Sequence, residues 1–455
     1  MGPQGRVTGI TVRDVRFPTS LEQHGSDAMH RDPDYSAAYV EVRTDACGGL
    51  SGFGLTFTLG RGNEIVVCAV RAVSDLVVGE QLERIFEDFG SFYHRLANDG
   101  QLRWVGPEKG VIHLAMAAVL NALWDLWARL EGKPLWKLLS DMEPEQLVSC
   151  IDFGYITDAL TRAEALEILR KGRVGREARE SQLIESGFPA YTTSCAWLGY
   201  PDAELRQRCT EALQDGWTRF KVKVGSSLED DERRCRIIRD VIGPDCTLML
   251  DANQRWDVLE AVEWTQKLAR FRPLWIEEPT SPDDVLGHKH ISQALSALGI
   301  GVATGEQCQN RVVFKQLLQA KALQFCQVDT CRLGGIPEIL AVLLMACKFQ
   351  VPVCPHAGGV GLCELAQHIS MFDFLSVSTS LENRVCEYVD HLHEHFVFPV
   401  RIHKAAYMPP MEPGYSTEMR EDSLQDFEFP GGRVWRELAS SGKHAVAVAV
   451  TERGS

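Results

Sequence analysis

The sequence predicts an α/β fold in which a (β/α)8 barrel follows an N-terminal α+β domain. From residue 190 onward, strand-like and helix-like segments alternate with a repeat of about 23 to 29 residues, which is typical of this barrel. The strand candidates are 190–198, 219–224, 247–251, 273–277, 300–305, 324–329, 351–355 and 374–380, and the helices between them include 202–214, 229–241, 257–269 and 335–348. A doubly wound sheet is the competing arrangement, but its first turn carries a glycine-rich phosphate loop, and none stands there.

The N-terminal domain is predicted from a change of hydrophobic period near residue 60. Alternating apolar and polar residues indicate antiparallel strands at 7–15, 37–44 and 49–58, with a hairpin turn at 45–49. A helical period follows over 64–139. The predicted units are an α+β domain at 1–140, a connecting segment with a charged helix at 141–189 and the barrel at 190–395.

Composition and charge exclude several classes of protein. The chain of 455 residues has a formal net charge of −15 and no long run of Lys and Arg, so no nucleic-acid partner is expected. No apolar run approaches the ~18 residues that a membrane span needs, so no membrane partner is expected either. The 14 cysteines include no C-x-x-C pair, which favours a reducing compartment. We expect an intracellular protein, cytoplasmic or mitochondrial, because the N-terminus shows neither a secretory signal nor a clear transit peptide.

The stretch F-K-V-K-V at 220–224 places two charged residues inside an apolar strand. Because side chains alternate along a strand, Lys221 and Lys223 lie on one face, and Val222 and Val224 lie on the other. An exposed edge strand with solvated lysines is one interpretation, since lysine is rarely buried without a partner. The strands that follow favour the other interpretation, in which both lysines point into an enclosed site.

The strand candidates after this stretch end in titratable side chains. These residues are Asp251 in L-M-L-D-A-N-Q, Glu277 in L-W-I-E-E-P, Glu306 in V-A-T-G-E, Asp329 in C-Q-V-D-T and His356 in V-P-V-C-P-H-A-G-G. In a barrel the carboxyl ends of the strands converge at one mouth. We therefore expect these side chains and the two lysines to meet in one pocket.

The acids among these residues predict a metal site. Asp251, Glu277 and Glu306 offer carboxylate oxygens without cysteine or clustered histidine, which favours Mg²⁺ over zinc. Asn253 lies two residues after Asp251, where it either orients a ligand or forms the turn that opens a βα loop. Asp329 and His356 end adjacent strands, and a carboxylate beside an imidazole fixes its tautomer and raises its basicity.

The motifs resemble those of the enolase superfamily, in the mandelate racemase-like subgroup, and within it the L-fuconate dehydratases. The resemblance covers nearly the whole chain and rests on K-V-K, D-A-N-Q-R-W-D, W-I-E-E-P-T-S-P-D-D, T-G-E, Q-V-D, P-H-A-G-G-V-G-L-C-E and E-Y-V-D-H-L-H-E-H-F. It implies a modified (β/α)7β barrel of the TIM type beneath an N-terminal α+β capping domain, with residues 396–455 returning to the cap. It also implies a homo-oligomer.

The resemblance further implies roles for the barrel residues. One Mg²⁺ per active site binds the carboxylate of a sugar acid and is held by Asp251, Glu277 and Glu306. Lys223 removes the α-proton as the base. Lys221 contacts the substrate carboxylate and lowers the pKa of its neighbour by like-charge repulsion. His356, with Asp329 behind it, protonates the leaving 3-hydroxyl.

The same resemblance implies further contacts to the substrate. Asn253 belongs to this set, and a carboxylate is expected near the last strand, where Glu387 in V-C-E-Y-V-D-H fits better than Glu382. The cap is expected to select the substrate through four residues in and after its long loop, which are Gly25, Ser26, Asp27 and Tyr35. At Ser26 a Gly or Ala would be equally acceptable if the backbone makes the contact.

The predicted activity is the Mg²⁺-dependent dehydration of a sugar acid, with L-fuconate converted to 2-dehydro-3-deoxy-L-fuconate and water. A racemase or epimerase is an alternative, because a lysine and a histidine on opposite faces of a carbon can exchange its proton without elimination. A non-catalytic sugar-acid-binding barrel is a third hypothesis. Such a protein is expected to have lost a metal or base residue, and none is lost here.

Overall fold

The computed structural model describes residues 4–442, and the first element of the fold is an antiparallel sheet. Its strands are β1 (Val7–Arg16), β2 (Ser36–Thr44) and β3 (Ser51–Thr58), paired in that order. The turn between β2 and β3 contains Gly49 at φ 101°, a conformation that glycine adopts without steric cost. The strand meander predicted from the alternating residues is confirmed.

Helices cover one face of this sheet and continue the N-terminal half of the chain. They are α1 (Asn63–Ser74), α2 (Leu82–Glu87), α3 (Phe89–Ala97), α4 (Leu102–Val105), α5 (Gly110–Leu130), α6 (Leu135–Asp141) and α7 (Pro144–Ser149). Helix α5 is long and apolar enough to cross a membrane, which corrects the expectation that no apolar run approaches that length. Because 94% of its apolar stretch is buried inside the protein, α5 is the core helix of the cap.

Two glycines let β3 approach α5 at backbone distance. A Cβ atom built on Gly54 would lie 2.4 Å from the carbonyl oxygen of Ala118 and from the amide nitrogen of Ala122. A Cβ atom on Gly52 would lie 2.3 Å from the carbonyl oxygen of Ala122. Helix and strand therefore touch without intervening side chains.

We expect Gly54→Ala to destabilise the protein by about 1–3 kcal/mol, because the added methyl group forces the sheet away from α5. Urea unfolding followed by circular dichroism measures the change. Gly100→Ala is the matched control, since Gly100 is exposed and a Cβ atom there meets nothing within 4 Å. Equal stability of the two variants would show that this contact is not tightly packed.

Two charged helices join the cap to the barrel. They are α8 (Arg162–Gly172) and α9 (Arg176–Ser186). Helix α8 begins at a capping box in which the Thr161 hydroxyl accepts from the amide of Glu164 and the Glu164 carboxylate accepts from the amide of Thr161. The charged segment that the sequence indicates between 141 and 189 is thus helical.

A parallel barrel follows these helices. Its strands are β4 (Phe188–Thr192), β5 (Arg219–Lys223), β6 (Thr247–Asp251), β7 (Pro273–Glu277), β8 (Gly301–Thr304), β9 (Phe325–Cys326) and β10 (Cys386–Tyr388). They pair in chain order from β4 to β9, and β10 pairs with β4. The ring closes through short contacts: Val353 bridges to Cys326, and the amide of Glu387 donates to the carbonyl of Pro355 at 3.2 Å.

Helices alternate with these strands as the sequence predicts. They are α10 (Asp202–Gln214), α11 (Leu228–Ile242), α12 (Val258–Leu268), α13 (Val285–Leu295), α14 (Arg311–Ala320), α15 (Ile336–Lys348) and α16 (Leu362–Phe372). On the inward faces of β6 and β7 an apolar residue is followed, two residues later, by a charged one. Met249 precedes Asp251 in this way, and Trp275 precedes Glu277, so buried apolar side chains fill the barrel beneath the acids.

The last predicted strand is wrong. Residues predicted as a strand at 374–380 form a π-helical turn at Asp373–Val377 that continues α16, and the eighth strand position is taken by β10. A short apolar run such as F-L-S-V fits a buried helix as well as a strand, and here the helical face packs into the core. The segment predicted at 351–355 is reduced to the single bridge at Val353.

The C-terminal segment packs against both parts of the molecule. Its elements are β11 (Arg401–His403), β12 (Ala406–Met408), α17 (Glu421–Phe427) and α18 (Arg433–Ser441). Strand β12 pairs antiparallel with β4 outside the barrel ring. Beyond it the Thr417 hydroxyl donates to the carbonyl of Phe53, and the Trp435 indole donates to the carbonyl of Arg16 at 3.0 Å. The part of the predicted 396–455 segment after residue 442 lies outside the described residues.

Candidate active site

Strand β5 carries both lysines into the barrel. Lys221 and Lys223 are buried, and β5 lies between β4 and β6, so the edge-strand interpretation is wrong. Lys221 Nζ lies 2.6 Å from Glu277 Oε1 and 2.7 Å from Glu387 Oε1. Lys223 Nζ donates to Asp251 Oδ2 at 2.6 Å. Asp251 Oδ2 also lies 3.2 Å from Lys221 Nζ, so the two ammonium groups share this carboxylate, while Glu277 and Glu387 contact Lys221.

The carboxylates decide the charge of both lysines. Burial lowers the pKa of Lys221, but Glu277 and Glu387 outweigh burial and hold that pKa well above its ordinary value. Burial likewise lowers the pKa of Lys223, but Asp251, Asp27 and Glu306 together outweigh burial and raise that pKa. Lys221 does lower the pKa of Lys223 by like-charge repulsion, as expected, but this contribution is smaller than that of Asp251.

The three predicted metal ligands lie together at the barrel mouth. Asp251 ends β6, Glu277 ends β7 and Glu306 follows β8, and their ligand oxygens lie within 4.8 Å of one another. Burial and the neighbouring Asp251 carboxylate raise the pKa of Glu277 to about 8. Glu306 Oε2 is buried and accepts no hydrogen bond from the described residues. Crowded carboxylates with a free oxygen fit a hard divalent cation.

Glu277 is oriented by two further side chains. Gln327 Nε2 donates to Glu277 Oε2 at 2.8 Å, and the indole of Trp275 donates to the same oxygen at 3.2 Å. Hydrogen bonds of this kind hold a ligating carboxylate in position and tune it. The remaining oxygen, Oε1, lies beside Lys221.

Asp329 and His356 form a hydrogen-bonded pair. His356 Nδ1 lies 2.6 Å from Asp329 Oδ2, while Asp329 Oδ1 accepts from the amides of Cys331 and Arg332 at 2.7 and 2.6 Å. This arrangement leaves Nε2 of the imidazole toward Glu306 Oε2 at 3.5 Å. Burial lowers the pKa of His356, but Glu306 and the Asp329 hydrogen bond raise it to about 9.

Glu387 and Asn253 are the remaining predicted polar residues at the barrel mouth. Glu387 Oε2 accepts from the amide of Ala357 at 3.0 Å. Although burial raises the pKa of Glu387, Lys221 and His356 lower it to about 2, so this group is a carboxylate. Glu382 is exposed and lies outside the cavity, which separates the two candidates by position.

Asn253 combines both features that the sequence leaves open. Its φ of 45° is a left-handed turn conformation, which Asn tolerates better than most residues. Its side-chain Oδ1 accepts from Lys223 Nζ at 3.1 Å. Asn253 thus forms the turn after β6 and at the same time orients the lysine.

A cavity of about 330 Å³ lies between the barrel mouth and the cap. Its polar lining comes from Lys223, Asn253, Glu306, Gln307, Asp329, Arg332, His356 and Glu387 of the barrel. The cap contributes Gly25, Asp27, His30, Tyr35, Phe57, Thr58, Leu59 and Leu114. Lys221, Asp251 and Glu277 lie beneath this lining and are almost fully buried.

The long cap loop reaches the cavity with three of its four predicted residues. Gly25 has a φ of 78°, and a Cβ atom there would lie 2.4 Å from Cε1 of Tyr35, so glycine is required by both backbone and space. Ser26 does not line the cavity. Its hydroxyl donates to the carbonyl of Gln23 and accepts from the amide of Gly199, which attaches the loop to the barrel.

The sequence reasoning missed several residues of this site. Trp197 packs its ring 5.6 Å from Lys223 Nζ, and Gln307, Arg332 and His30 line the cavity. Gln327 stands in the motif C-Q-V-D-T, two residues before Asp329, where period-2 alternation turns it to the inner face. Alternation along the strand therefore predicts Gln327. Trp197 lies in a loop after β4, which ends at Thr192, so the predicted strand 190–198 is too long at its end, and no strand pattern marks His30.

Two family models match the chain. Residues 18–140 match the mandelate racemase / muconate lactonizing enzyme N-terminal domain, and residues 204–423 match the enolase C-terminal domain-like family. Fold and site together define a capped barrel enzyme whose polar centre is built from carboxylates and two lysines. The chain belongs to the mandelate racemase and muconate lactonizing enzyme family of the enolase superfamily, and the predicted resemblance and fold class are confirmed.

Individual relatives agree over nearly the whole length. The chain is 68% identical to human mitochondrial enolase superfamily member 1, with 96% of this chain and 98% of the relative covered. The crystal structure of that human protein matches with a TM-score of 0.95 over 96% of this chain and 99% of the other. L-galactonate dehydratase of Hypocrea jecorina is 53% identical, with 93% of this chain and 94% of the relative covered.

A more distant solved structure shares the fold. L-talarate/galactarate dehydratase of Salmonella typhimurium LT2, liganded with Mg and L-lyxarohydroxamate, has a TM-score of 0.70 at 22% identity. The match covers 93% of this chain and 92% of that one. At this identity the likeness shows the architecture.

Proposed function

We propose that the protein is a Mg²⁺-dependent hydro-lyase that converts L-fuconate to 2-dehydro-3-deoxy-L-fuconate and water. The observation that carries this proposal is the placement of Lys223 and His356 in the lining of one cavity, next to three crowded carboxylates. A base, an acid and a cation site are the groups that a β-elimination next to a carboxylate needs. The named dehydratases among the relatives support the reaction type.

Asp251, Glu277 and Glu306 would hold the Mg²⁺ ion. Their all-oxygen donor set and the hydrogen-bond-free oxygen of Glu306 fit this cation, and related structures with bound magnesium support the choice. When bound, the ion attracts the substrate carboxylate and stabilises the negative charge that proton removal adds to it. The protein side chains then act on the neighbouring carbons.

Lys223 acts as the base in this scheme. A proton on the carbon next to a carboxylate is a very weak acid, because its removal leaves a second negative charge on the same group. Lys223 takes this proton from C2 in its unprotonated form, which would require the cation to engage Asp251, the carboxylate that raises the pKa of Lys223. The Lys221 ammonium lies beneath the cavity lining and would attract the charged substrate carboxylate. Glu387 holds Lys221 from the other side, at 2.7 Å.

His356 acts as the acid. Asp329 fixes the imidazole through Nδ1 and leaves Nε2 free to donate its proton to the 3-hydroxyl of the substrate. The C3–O bond breaks, water leaves, and the C2–H electron pair becomes the C2–C3 double bond. The resulting enol takes a proton at C3 and becomes the 2-keto acid.

The choice of sugar rests on the cap. L-fuconate is L-galactonate without its 6-hydroxyl, so the two sugar acids differ only at the end of the chain that lies away from the carboxylate. Phe57, Leu59 and Leu114 give this cavity an apolar wall on the cap side. An apolar wall favours a terminal methyl group, because a buried hydroxyl without a partner costs free energy.

An assay with L-fuconate and L-galactonate tests the proposal. Purified protein with Mg²⁺ is expected to release a 2-keto-3-deoxy acid from L-fuconate, detected as its semicarbazone, and to prefer L-fuconate over L-galactonate in kcat/KM. Chelation by EDTA should stop the reaction and added Mg²⁺ should restore it. Absence of a keto acid from metal-loaded protein would refute the dehydratase activity, and a preference for L-galactonate would refute the substrate.

Epimerisation is a second candidate, because the same Lys223 and His356 line the cavity and can exchange a proton at one carbon. Deuterium incorporation at C2 from heavy water without keto acid formation would select it. A binding protein without activity is a weaker alternative, since every residue of the predicted machinery is present. We place the protein inside the cell, in the cytosol or the mitochondrion, and the name of the human relative supports the mitochondrion.

A further inference from the structure

The cap loop carries a second Asp–His pair that faces the same cavity as Asp329 and His356. His30 Nδ1 lies 3.0 Å from Asp27 Oδ2, and both residues line the cavity. The hydrogen bond to Asp27 raises the pKa of His30 by more than burial lowers it. Glu306 raises this pKa further, and Lys223 lowers it. The His30 side chain is 36% exposed, so the ring lies half-buried at the edge of the cavity.

The turn that holds this pair is rigidly hydrogen-bonded. Asp27 Oδ1 accepts from the amides of Met29 and His30, both at 2.7 Å. The amide of Asp27 donates to the carbonyl of His30 at 2.8 Å, and the amide of Leu198 donates to the carbonyl of Ser26. The imidazole is thus fixed at one position above the barrel mouth.

These bonds change the role expected for Asp27. One of its carboxylate oxygens already accepts two backbone amides, and the other faces His30 Nδ1. The nitrogen left over is Nε2 of His30, for which the described residues provide no hydrogen-bond partner. In this arrangement the carboxylate acts on the ring, and the ring is the group presented to a ligand.

We propose that His30 contacts the substrate and reads a hydroxyl on its polyol chain, at C4 or C5, while Asp27 positions the ring. The inference rests on the proposed sugar-acid substrate. With its carboxylate at the barrel floor, a sugar acid extends its remaining carbons toward the cap, where His30 lies. A hydroxyl donates and accepts, so it can bond Nε2 of either the neutral or the protonated imidazole.

Binding measurements in a background that cannot turn over test this proposal. In Lys223→Ala protein with Mg²⁺, calorimetry would give the affinity of L-fuconate and of its 4-deoxy and 5-deoxy analogues, with and without His30→Leu. We expect His30→Leu to lower the affinity for L-fuconate by about 10-fold. The analogue that lacks the contacted hydroxyl should bind both proteins equally.

Two further variants separate contact from loop damage. Met29→Ala alters the same turn at a half-exposed residue outside the cavity lining, and it should leave all affinities unchanged. Asp27→Asn keeps an oxygen for the two amides but removes the carboxylate from the ring, so a smaller loss with the same analogue dependence is expected. With Lys223 present, His30→Leu should raise KM for L-fuconate and leave C2 proton exchange at saturation intact.

The outcomes keep the two proposals apart. If His30→Leu lowers the affinity for all three ligands equally, or lowers none of them, the proposed role of His30 is overturned. Turnover by the unsubstituted enzyme would still support the dehydratase. If neither L-fuconate nor L-galactonate binds, the proposed function fails and the His30 contact fails with it.

Discussion

Lys223→Ala should lower the turnover of L-fuconate by about 10²- to 10⁴-fold or more, because among the described residues that line the cavity no other amine can take the C2 proton. The fold should persist, since Asp251 keeps Lys221 as a cationic partner at 3.2 Å. Initial rates of keto acid formation and circular dichroism check the two parts of this expectation.

Lys267→Ala is the matched control for that variant. Lys267 lies on α12, half-exposed, and pairs with Glu263 on the same helix, so its loss should leave kcat and KM unchanged. Exchange of the C2 proton with heavy water offers a second readout and should also vanish in Lys223→Ala. Retained exchange would remove Lys223 from the proton-transfer step.

His356→Asn should separate the two halves of the reaction. Without the imidazole the 3-hydroxyl leaves unprotonated, so keto acid formation should fall by about 10²- to 10⁴-fold. Removal of the C2 proton by Lys223 does not use His356, and exchange with solvent should continue. Mass spectrometry of recovered substrate and the keto acid assay measure both events on one sample.

The exposed residue His290 provides the control for this prediction. His290→Asn should retain full dehydration. Loss of both exchange and dehydration in His356→Asn would mean that His356 serves proton removal as well, which is the behaviour expected of an epimerase. Full dehydration in that variant would exclude His356 as the acid.

The site was easier to predict from sequence than the last part of the barrel. Asp251 and Glu277 are the last residues of five-residue strands that are otherwise largely apolar. Because strand ends converge in a barrel, the local pattern and the topology predict the same site. The run at 374–380 carries no such restriction, because its apolar side chains suit a helix that packs on the core equally well. Strand β10 was not predicted from the sequence, because it has only three residues and the charged Glu387 stands in the middle.

The loop residues show a second limit. Ser26 and His30 stand four positions apart in a segment without hydrophobic period, and nothing in the sequence tells which side chain turns inward. Their positions follow from hydrogen bonds within the loop to Gln23 and Asp27, and from the bond between Ser26 and Gly199, which forms only where cap and barrel meet. Contacts of this kind come from tertiary structure.

The return of the chain to the cap restricts how a substrate can enter. Contacts of Thr417 with β3 and of Trp435 with β1 tie the far end of the chain to the first sheet, so the cap is not a domain on a single hinge. Moving the whole cap away from the barrel would break its contacts with the barrel and its contacts with the C-terminal segment at the same time. The loop at 18–33 is joined to the barrel by fewer bonds, among them those of Ser26 with Leu198 and Gly199. Local opening of this loop is therefore the less costly route for the substrate. His30, the proposed contact to the sugar, would move together with the loop that opens.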